Sequence, residues 1–364
     1  MKRILLLLAC AGTLSLLAYS CTEDPDNPNN EVEQEEIVIP VEIKDVASSE
    51  VGSLAVLDIE ENGTVNSDAQ GDLELSIPAE GDVSVKAKLA DTPVAVPGEL
   101  LLKSNDDVPA VCQSESGAQF ASAKIVLTLE NPADEPVIYT GVIEAGGITV
   151  DMPEILVPAD TKAHKVILMD KPGDTPNGIQ LPAPIIDKVN RLGQDAIKIK
   201  DVYVSKATRT RGDDEVSGTY SFSVAAIYVA PLVFPKGTII DFDIVLDDLG
   251  SVNPSEYVGN SKEYELKCTV INSLPFQISG TGETPTGVKA ELVDKNGKNI
   301  KIAPGDTNKP VSTDVIVHFV CTGGLNAFES ATIHLKLEAL ETATLNKNQK
   351  IEVSYNGITY HMQA

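Results

Sequence analysis

Carboxylates are the side chains in this sequence whose spacing could support chemistry. Four of them form two adjacent pairs in polar segments, Asp213 with Asp214 and Asp247 with Asp248. Oxygen-rich loops at the end of a β-sandwich can bind calcium. The alternative is that they only keep an acidic chain soluble, since alternation along residues 241–244 already places two aspartates on a solvent face. Calcium at these four aspartates is one of two interpretations, and no other cofactor is expected.

The four histidines are the other candidates for chemistry: His164, His318, His334 and His361. His334 alternates with Ile333 and Leu335, which predicts a solvent-facing position on a strand. His318 lies in an apolar stretch and is predicted to be a buried histidine and not a catalytic base. The sequence contains no GxSxG, HExxH, phosphate-binding glycine loop or complete calcium loop. We therefore expect a protein that is not an enzyme.

The cysteines show no metal-binding pattern. Beyond Cys21, the chain carries Cys112, Cys268 and Cys321, and none of them forms a CxxC pair. Cys268 and Cys321 lie in strand-like runs, which predicts small buried apolar residues. One disulfide among the three is the alternative that the sequence leaves open.

The N-terminus carries the features of a signal peptide over residues 1–20. Lys2 and Arg3 precede an apolar run, residues 4–17, and small residues follow it. The stretch Leu17-Ala18-Tyr19-Ser20-Cys21 resembles a bacterial lipoprotein signal. The resemblance implies cleavage before Cys21, acylation of its thiol and anchoring in outer-membrane lipid. Ala18 stands where that family usually carries Leu or Val, so secretion after Ser20 without lipid is the alternative.

Residues 21–36 form an acidic segment. Its seven carboxylates are Glu23, Asp24, Asp26, Glu31, Glu33, Glu35 and Glu36. Low hydrophobicity, uniform charge and two prolines predict a disordered tether. The segment resembles the export signal of surface lipoproteins in the Bacteroidetes, which implies exposure on the cell surface. A spacer on a periplasm-facing lipoprotein is the alternative.

Composition excludes some partners. The chain has 54 acidic and 28 basic side chains, a net charge of −26, so we expect no binding to nucleic acid. It has no tryptophan, which argues against an aromatic sugar-binding platform. The aromatic residues Tyr220, Phe222, Tyr228 and Phe234 alternate with small or apolar neighbours and are predicted to lie in the core.

From residue 37 onward the hydrophobic pattern has a period of two. Short β-branched runs such as 37–43, 137–143 and 264–271 are separated by Gly, Pro, Asn and Asp. Residues 184–192 are the one helix-like stretch in the sequence, with Gly193 as a stop. The pattern predicts an all-β fold of two tandem antiparallel β-sandwich domains, Ig-like or late-embryogenesis-like.

Two short matches indicate an internal duplication. Gly52 matches Gly193 and Asn131 matches Asn272, and both offsets (193 − 52 and 272 − 131) are 141 residues. The predicted division is therefore a first domain over 37–170, a linker over 171–184 and a second domain over 185–364. The run 125–132, followed by Pro136-Val137, resembles the strand, Asn-Pro turn and strand of late-embryogenesis-like domains, which implies a role in folding.

The expected function combines these features. A lipoprotein start, an acidic tether and a β-repeat body resemble uncharacterised outer-membrane lipoproteins of gut Bacteroidetes. We expect a non-enzymatic cell-surface lipoprotein that serves as an interaction or accessory binding module for an unknown surface protein or glycan. The alternative is a subunit of a fimbria-like adhesin or assembly.

Overall fold

The computed structural model describes part of the chain. The described residues are 37–39, 64–89, 92–104, 108–193, 195–207, 218–246, 253, 263–321, 326–327 and 329–361. Several predictions lie outside them: the signal peptide 1–20, the tether 21–36 with Cys21, the repeat match at 51–56, and Asp213, Asp214, Asp247 and Asp248. These predictions stay predictions.

Strands are the main regular secondary structure of this protein. Strands make up 56% of it and helices 5%, which confirms the predicted all-β, sandwich-type fold class. In chain order the strands are β1 (Ile37–Ile39), β2 (Val65–Ser67), β3 (Leu73–Pro78), β4 (Val83–Ala87), β5 (Val94–Val96), β6 (Leu100–Leu102), β7 (Lys124–Asn131), β8 (Val137–Ala145), β9 (Ile148–Val157), β10 (Thr161–Met169), β11 (Gly178–Gln180), β12 (Ile197–Lys206), β13 (Tyr220–Pro231), β14 (Val233–Phe234), β15 (Ile239–Leu246), β16 (Glu263–Asn272), β17 (Gln277–Glu283), β18 (Val288–Val293), β19 (Val311–Cys321), β20 (Ala331–Glu338), β21 (Ala343–Thr344) and β22 (Ile351–His361). The ladders are antiparallel except that β10 and β11 pair in parallel.

Two sheets build one compact unit, Glu61–Thr238 with Thr344–Asn346. The seven-stranded sheet has the order β11-β10-β7-β13-β3-β2, with β4 also paired to β13. The five-stranded sheet has the order β5-β12-β8-β9, with β6 also paired to β12. Alternate residues of β7 and β8 are buried, so each sheet contributes one apolar face to a sandwich core.

The second unit comprises Ile239–Ala343 and Lys347–Ala364, together with β1. Its eight-stranded sheet has the order β1-β22-β16-β19-β18-β17-β20-β15. In β19 the residues Val315, Val317, Phe319 and Cys321 are buried, and the residues between them are half-buried. One face of this sheet is therefore apolar, and the other is available for polar side chains.

The two asparagines of the repeat form the same turn. Asn131 and Asn272 are fully buried at the ends of β7 and β16. In both, the side-chain amide donates to the carbonyl four residues later, at 2.9 Å and 3.2 Å. In both, the side-chain oxygen accepts from the backbone N–H two residues later, at 3.1 Å and 2.8 Å. Each unit thus carries one copy of this asparagine turn.

The units divide at a different point from the predicted linker. Strand β12 pairs with β8, and β13 pairs with β3, β4 and β7, so residues 197–231 belong with the first half of the chain. The predicted linker 171–184 contains β11 and the start of a helix. Because ladder hydrogen bonds hold these strands in the first unit, contacts separate the units between Thr238 and Ile239 and not within 171–184.

The predicted helix is present as α1 (Ala183–Val189). Pro182 precedes it, and Ile185 and Val189 are its buried residues. The Tyr228 hydroxyl donates to the Val189 carbonyl at 2.8 Å, which attaches the helix to β13. Two short 3-10 turns span Ala110–Cys112 and Ser114–Ser116. Across the described ranges, no helix has the length and apolarity needed to cross a membrane.

Candidate functional site

Strand β20 lies between β15 and β17 at one edge of the eight-stranded sheet. Leu337 on β20 is paired with Ile240 on β15 and Ile278 on β17, and all three side chains are buried. This apolar row fixes the register of the three strands, because a slip of one residue would expose it. The register also determines which side chains meet on the opposite, outer face.

The outer face carries two polar rows across these strands. They are Asp243, His334 and Thr281, and Asp241, Lys336 and Ser279. All six residues are exposed or half-buried. The prediction that His334 and the two aspartates face solvent is confirmed. The alternation of β20 and of β15 gave the orientation of these side chains, and the structure adds that the two strands are neighbours.

His334 contacts a carboxylate on each of the two neighbouring strands. Its Nδ1 lies 2.6 Å from Oδ1 of Asp243, and its Nε2 lies 3.6 Å from Oε1 of Glu283. The hydrogen bond with Asp243, aided by Glu283, raises the pKa of His334 above its ordinary value of 6.5. Both carboxylates favour the charged imidazole. The His334 side chain therefore links β15, β20 and β17.

The row through His334 continues across the sheet. Thr281 is paired with Glu291 on β18, Glu291 with His318 on β19, and His318 with Glu265 on β16. We call the six residues from Glu265 to Asp243 the cross-strand row. The six strands are separated by five spacings of about 4.8 Å, so the row is about 24 Å long.

The prediction of a buried His318 is wrong. Its side chain is 27% exposed on the outer face, and its Nε2 lies 3.7 Å from Oε2 of Glu263. The neighbouring residues Val317 and Phe319 point to the apolar face instead. The strand is apolar on both sides, so the sequence could not determine which face is buried.

A groove of about 650 Å³ lies against the cross-strand row. It exists because the ladder between β17 and β18 covers only residues 281–283, and the next contact on that side is the bridge between Ile278 and Ile302. Gly280 lies in this gap. A Cβ on Gly280 would lie 2.9 Å from the His334 carbonyl oxygen, which explains the glycine.

The groove is lined by residues from both faces of the sheet. Its apolar lining residues are Phe242, Leu292, Ile300 and Leu335, whose side chains lie by alternation and register on the face opposite His334. Four polar residues that line it have side chains with no hydrogen bond or ion pair to any other described residue: Ser279, Thr281, Glu291 and Asn299. Hydroxyl, amide and carboxylate groups are therefore available to a ligand from β17, β18 and the segment that follows β18.

The ring nitrogens of His334 both face carboxylates. Nε2 of His334 faces the Glu283 carboxylate and not a hydroxyl, so a nucleophile activated by this imidazole is not formed. Within the described residues, no three His, Cys, Asp or Glu side chains are placed to hold a metal ion.

Cys268 and Cys321 are buried, as predicted, and Cys112 is buried as well; none of the three forms a disulfide. Burial raises the pKa of Cys112 to about 12, so its thiol is protonated at neutral pH. Burial also raises the pKa of Cys321. These thiols contribute packing and take no part in the groove.

Three of the four predicted core aromatics are confirmed. Phe222, Tyr228 and Phe234 are fully buried. Tyr220 is only half-buried, and its hydroxyl lies 3.3 Å from Oδ1 of Asp134, so its assignment to the core is wrong. It stands at the first position of β13, where the strand emerges from the core.

Glu283, Glu291, Ser279 and Asn299 were not identified from the sequence. Glu283 and Ser279 alternate with Gly282 and Gly280 in β17, which signals a strand with little side-chain packing on one face. This alternation of glycine with polar residues could have identified Ser279, Thr281 and Glu283 as neighbours on one face of the strand. The pairing of β17 with β20, fifty residues later, has no local signal.

Comparisons with known proteins give a fold and no family. No protein-family model matches the sequence, and no curated protein is detectably similar to it. The structure is similar to the crystal structure of a Parabacteroides distasonis protein that is predicted to be secreted, with a TM-score of 0.51 and 13% identity over 91% of this chain and 100% of the other.

Two weaker similarities carry no argument. They are a cryo-EM structure of broad bean stain virus (TM-score 0.23, 10% identity, 85% of this chain, 94% of the other) and a tandem CBM22 domain of Paenibacillus barcinonensis Xyn10C (TM-score 0.19, 10% identity, 92% of this chain, 100% of the other). What this chain shares with known proteins is therefore the all-β fold of the Parabacteroides protein.

Proposed function

We propose that this protein is a non-enzymatic cell-surface lipoprotein that serves as a binding module, and that the groove along the cross-strand row is its ligand site. The observation that carries the proposal is the set of uncommitted polar groups in the groove, Ser279, Thr281, Glu291 and Asn299. Folded proteins pair such groups with one another or leave them to water, so several of them on one groove can pair with a ligand instead.

The groove is also held in place by its own sheet. The buried row Ile240, Leu337 and Ile278 lies beneath it, and the link from Asp243 through His334 to Glu283 crosses the three strands above it. Polar groups on paired strands lose little conformational freedom when a ligand binds. This favours a preformed site.

Binding can be tested with the full mature chain carrying Cys21→Ser, applied to arrays of glycans and of immobilised peptides. A bulky Thr281→Trp substitution fills the groove and should abolish whatever binding is found. Thr149→Trp, on the exposed outer side of β9, is the matched control and should bind as the unmodified chain does. The proposal fails if Thr281→Trp binds as well as the control.

The cell-surface address rests on the N-terminal sequence. The signal peptide, Cys21 and the seven carboxylates of residues 21–36 support export and anchoring. The shared fold with a protein predicted to be secreted is in keeping with this address. Cells expressing the full chain should incorporate labelled fatty acid into it, and Cys21→Ser should abolish the label. Protease added to intact cells should degrade the protein; survival of the protein would contradict surface exposure.

A further inference from the structure

Strand β15 forms one edge of the eight-stranded sheet. It pairs with β20 along its whole length, from Ile239 opposite Glu338 to Leu246 opposite Ala331, and the register is unbroken. On its other side, β15 has no hydrogen-bonded neighbour among the described residues. Such an edge presents backbone donors and acceptors that another strand can pair with.

The register shows which backbone groups of β15 are unpaired. Ile278 exchanges two backbone hydrogen bonds with Ile302, at 2.9 Å and 2.8 Å, so its N–H and C=O point away from β20. Antiparallel ladders alternate, so the backbone of Leu337, opposite Ile278, points toward β15 and pairs with Ile240. The N–H and C=O groups that point to the free edge therefore belong to Ile239, Asp241, Asp243 and Val245.

Other strands at the edges of sheets are short or interrupted. The edge strands β1, β2, β5, β6 and β11 have three residues each. Strand β9 has ten residues, but it contains Pro153 and a break in its register with β8. Short strands, proline and bulges protect edges, because a long regular edge pairs with other chains. β15 has eight residues, no proline and no register break, so its edge is open to a further strand.

The side chains of β15 favour a basic strand. Ile239 and Val245, which are 41% and 59% exposed, flank Asp241 and Asp243 on the outer face. Each aspartate uses one carboxylate oxygen for a contact with β20 and keeps the second without a described partner. Lysines opposite these carboxylates in an added strand would form cross-strand ion pairs.

The same aspartates disfavour a second copy of this chain. Two antiparallel copies of β15 pair over seven residues in two registers that match outward-pointing residues with each other. One register places Asp241 opposite Asp243, and the other places Asp243 opposite its own copy. Like charges directly opposite each other destabilise a ladder. The edge therefore rejects its own sequence and accepts one of opposite charge.

We propose that the free edge of β15 binds an extended segment of a partner protein that carries basic residues at alternate positions, and adds it to the sheet as a further strand. Backbone hydrogen bonds supply the affinity, and Asp241 and Asp243 select the charge. This site goes beyond the proposed function, because it uses the backbone edge of β15. The groove lies between β17 and β18, although these two aspartates also border it.

The test uses the full mature chain carrying Cys21→Ser and the fluorescent peptide acetyl-Val-Thr-Lys-Val-Lys-Thr-Val-amide. In the antiparallel register its lysines lie opposite Asp243 and Asp241, and its terminal valines opposite Val245 and Ile239. Anisotropy titrations should show saturable binding. Methylation of the backbone nitrogen of both lysines keeps the charges but removes two donors, and should weaken binding by at least about 10-fold.

A peptide with threonine in place of both lysines tests the charge selection. It keeps the backbone donors and should bind about 3- to 30-fold more weakly than the lysine peptide. Equal binding of these two peptides would overturn the preference for a basic strand. Equal binding of the methylated and unmethylated lysine peptides would overturn the strand pairing itself.

Val245→Pro tests the edge from the side of the protein. The N–H of Val245 points away from β20, so proline removes an edge donor and leaves the ladder with β20 intact. This variant should bind the lysine peptide at least about 10-fold more weakly. Val245→Thr keeps the N–H and the β-branched shape, and should bind within about 2-fold of the unmodified chain. Equal affinities for the two variants would show that the peptide binds elsewhere.

Amide hydrogen exchange gives a readout that needs no variant. In the unmodified chain, the N–H groups of Asp241 and Asp243 should exchange slowly only when the lysine peptide is bound. The N–H of Phe242 pairs with β20 and should be protected with or without the peptide. If the peptide leaves the exchange of Asp241 and Asp243 unchanged, the added strand does not form.

Further outcomes separate this site from the groove and from self-association. Thr281→Trp should leave the binding of the lysine peptide intact, and Val245→Pro should leave glycan binding in the groove intact. If Thr281→Trp abolishes binding of the peptide, the peptide lies in the groove and the inference about the edge is wrong. If the peptide does not bind but a glycan does, only this inference fails. A dimer in sedimentation that the peptide dissociates would make a second copy the occupant and would also overturn it.

Discussion

The buried side-chain amide of Asn131 forms hydrogen bonds with four backbone groups of its turn. Its Nδ2 donates to the carbonyls of Glu135, Val157 and Pro158, and its Oδ1 accepts from the N–H of Ala133. Asn131→Ala would remove the partner of these backbone groups, of which the Ala133 N–H and the Val157 carbonyl lie in buried surroundings. We expect a loss of about 2–4 kcal/mol in the free energy of unfolding, measured by urea denaturation.

Asn299→Ala is the control for that substitution. The Asn299 side chain is exposed and makes no hydrogen bond or ion pair with other described residues, so its replacement should change the free energy of unfolding by less than about 0.5 kcal/mol. Asn272→Ala should behave like Asn131→Ala in its own unit, because it leaves the Phe276 and Ala303 carbonyls unpaired. Equal stabilities for the Asn131 and Asn299 variants would contradict the role of the turn.

His334 makes stability depend on pH in a known direction. Because contacts with Asp243 and Glu283 raise the pKa of His334 in the folded state above 6.5, folding favours its protonated form. This contribution is fully present below pH 6.5 and is lost as pH rises through the raised pKa. The thermal midpoint of the unmodified chain should exceed that of His334→Gln at pH 5.5, and the gap should narrow at pH 8.5. An NMR titration of His334 that gave a pKa of 6.5 or below would refute this.

Two glycines allow the backbone segments that precede β4 and β6 to approach each other closely. Gly81 has a φ of +109° and Gly98 a φ of +103°, and a Cβ on them would lie 2.1 Å from the Glu99 carbonyl oxygen and 2.0 Å from that of Asp82. Replacing either by alanine should cost about 2–5 kcal/mol from backbone strain and displacement of the strands. Gly297, with a φ of +72° and no atom within 4 Å, is the comparison, and Gly297→Ala should cost about 1 kcal/mol. Equal urea midpoints for Gly81→Ala and Gly297→Ala would show that the close approach is unimportant.

At the scale of strands, the sequence predicts features that depend on neighbouring residues, such as side-chain orientation and turns. The alternation in residues 332–337 placed His334 on the outer face, and the asparagine at residue 131 predicted a turn. It did not predict that β13 pairs with β3, β4 and β7, because the order of strands depends on long-range pairing without a local pattern. The same limit explains why His334 was placed correctly while its neighbours Asp243 and Glu283 were not connected to it.

At the scale of the whole molecule, the chain does not divide where its sequence suggests. The breaker-rich residues 171–184 predicted a linker, yet β11 and α1 within or beside them pack on the first unit. Proline and glycine mark turns between strands of one sandwich as readily as boundaries between domains. Only the contacts of the strands that follow, here β12 and β13, distinguish the two cases.

The late segment Thr344–Asn346 belongs to the first unit. Leu345 is fully buried, its N–H donates to the Leu232 carbonyl, and its carbonyl accepts from the Leu73 N–H. Leu345→Ala should therefore destabilise the first unit by about 2–4 kcal/mol, although the residue is near the C-terminus. Amide hydrogen exchange should become faster in β3 and β13 and stay unchanged in β19 and β20. Leu340→Ala, at a position 38% exposed, should alter neither set. Faster exchange confined to β19 and β20 would assign residue 345 to the other unit.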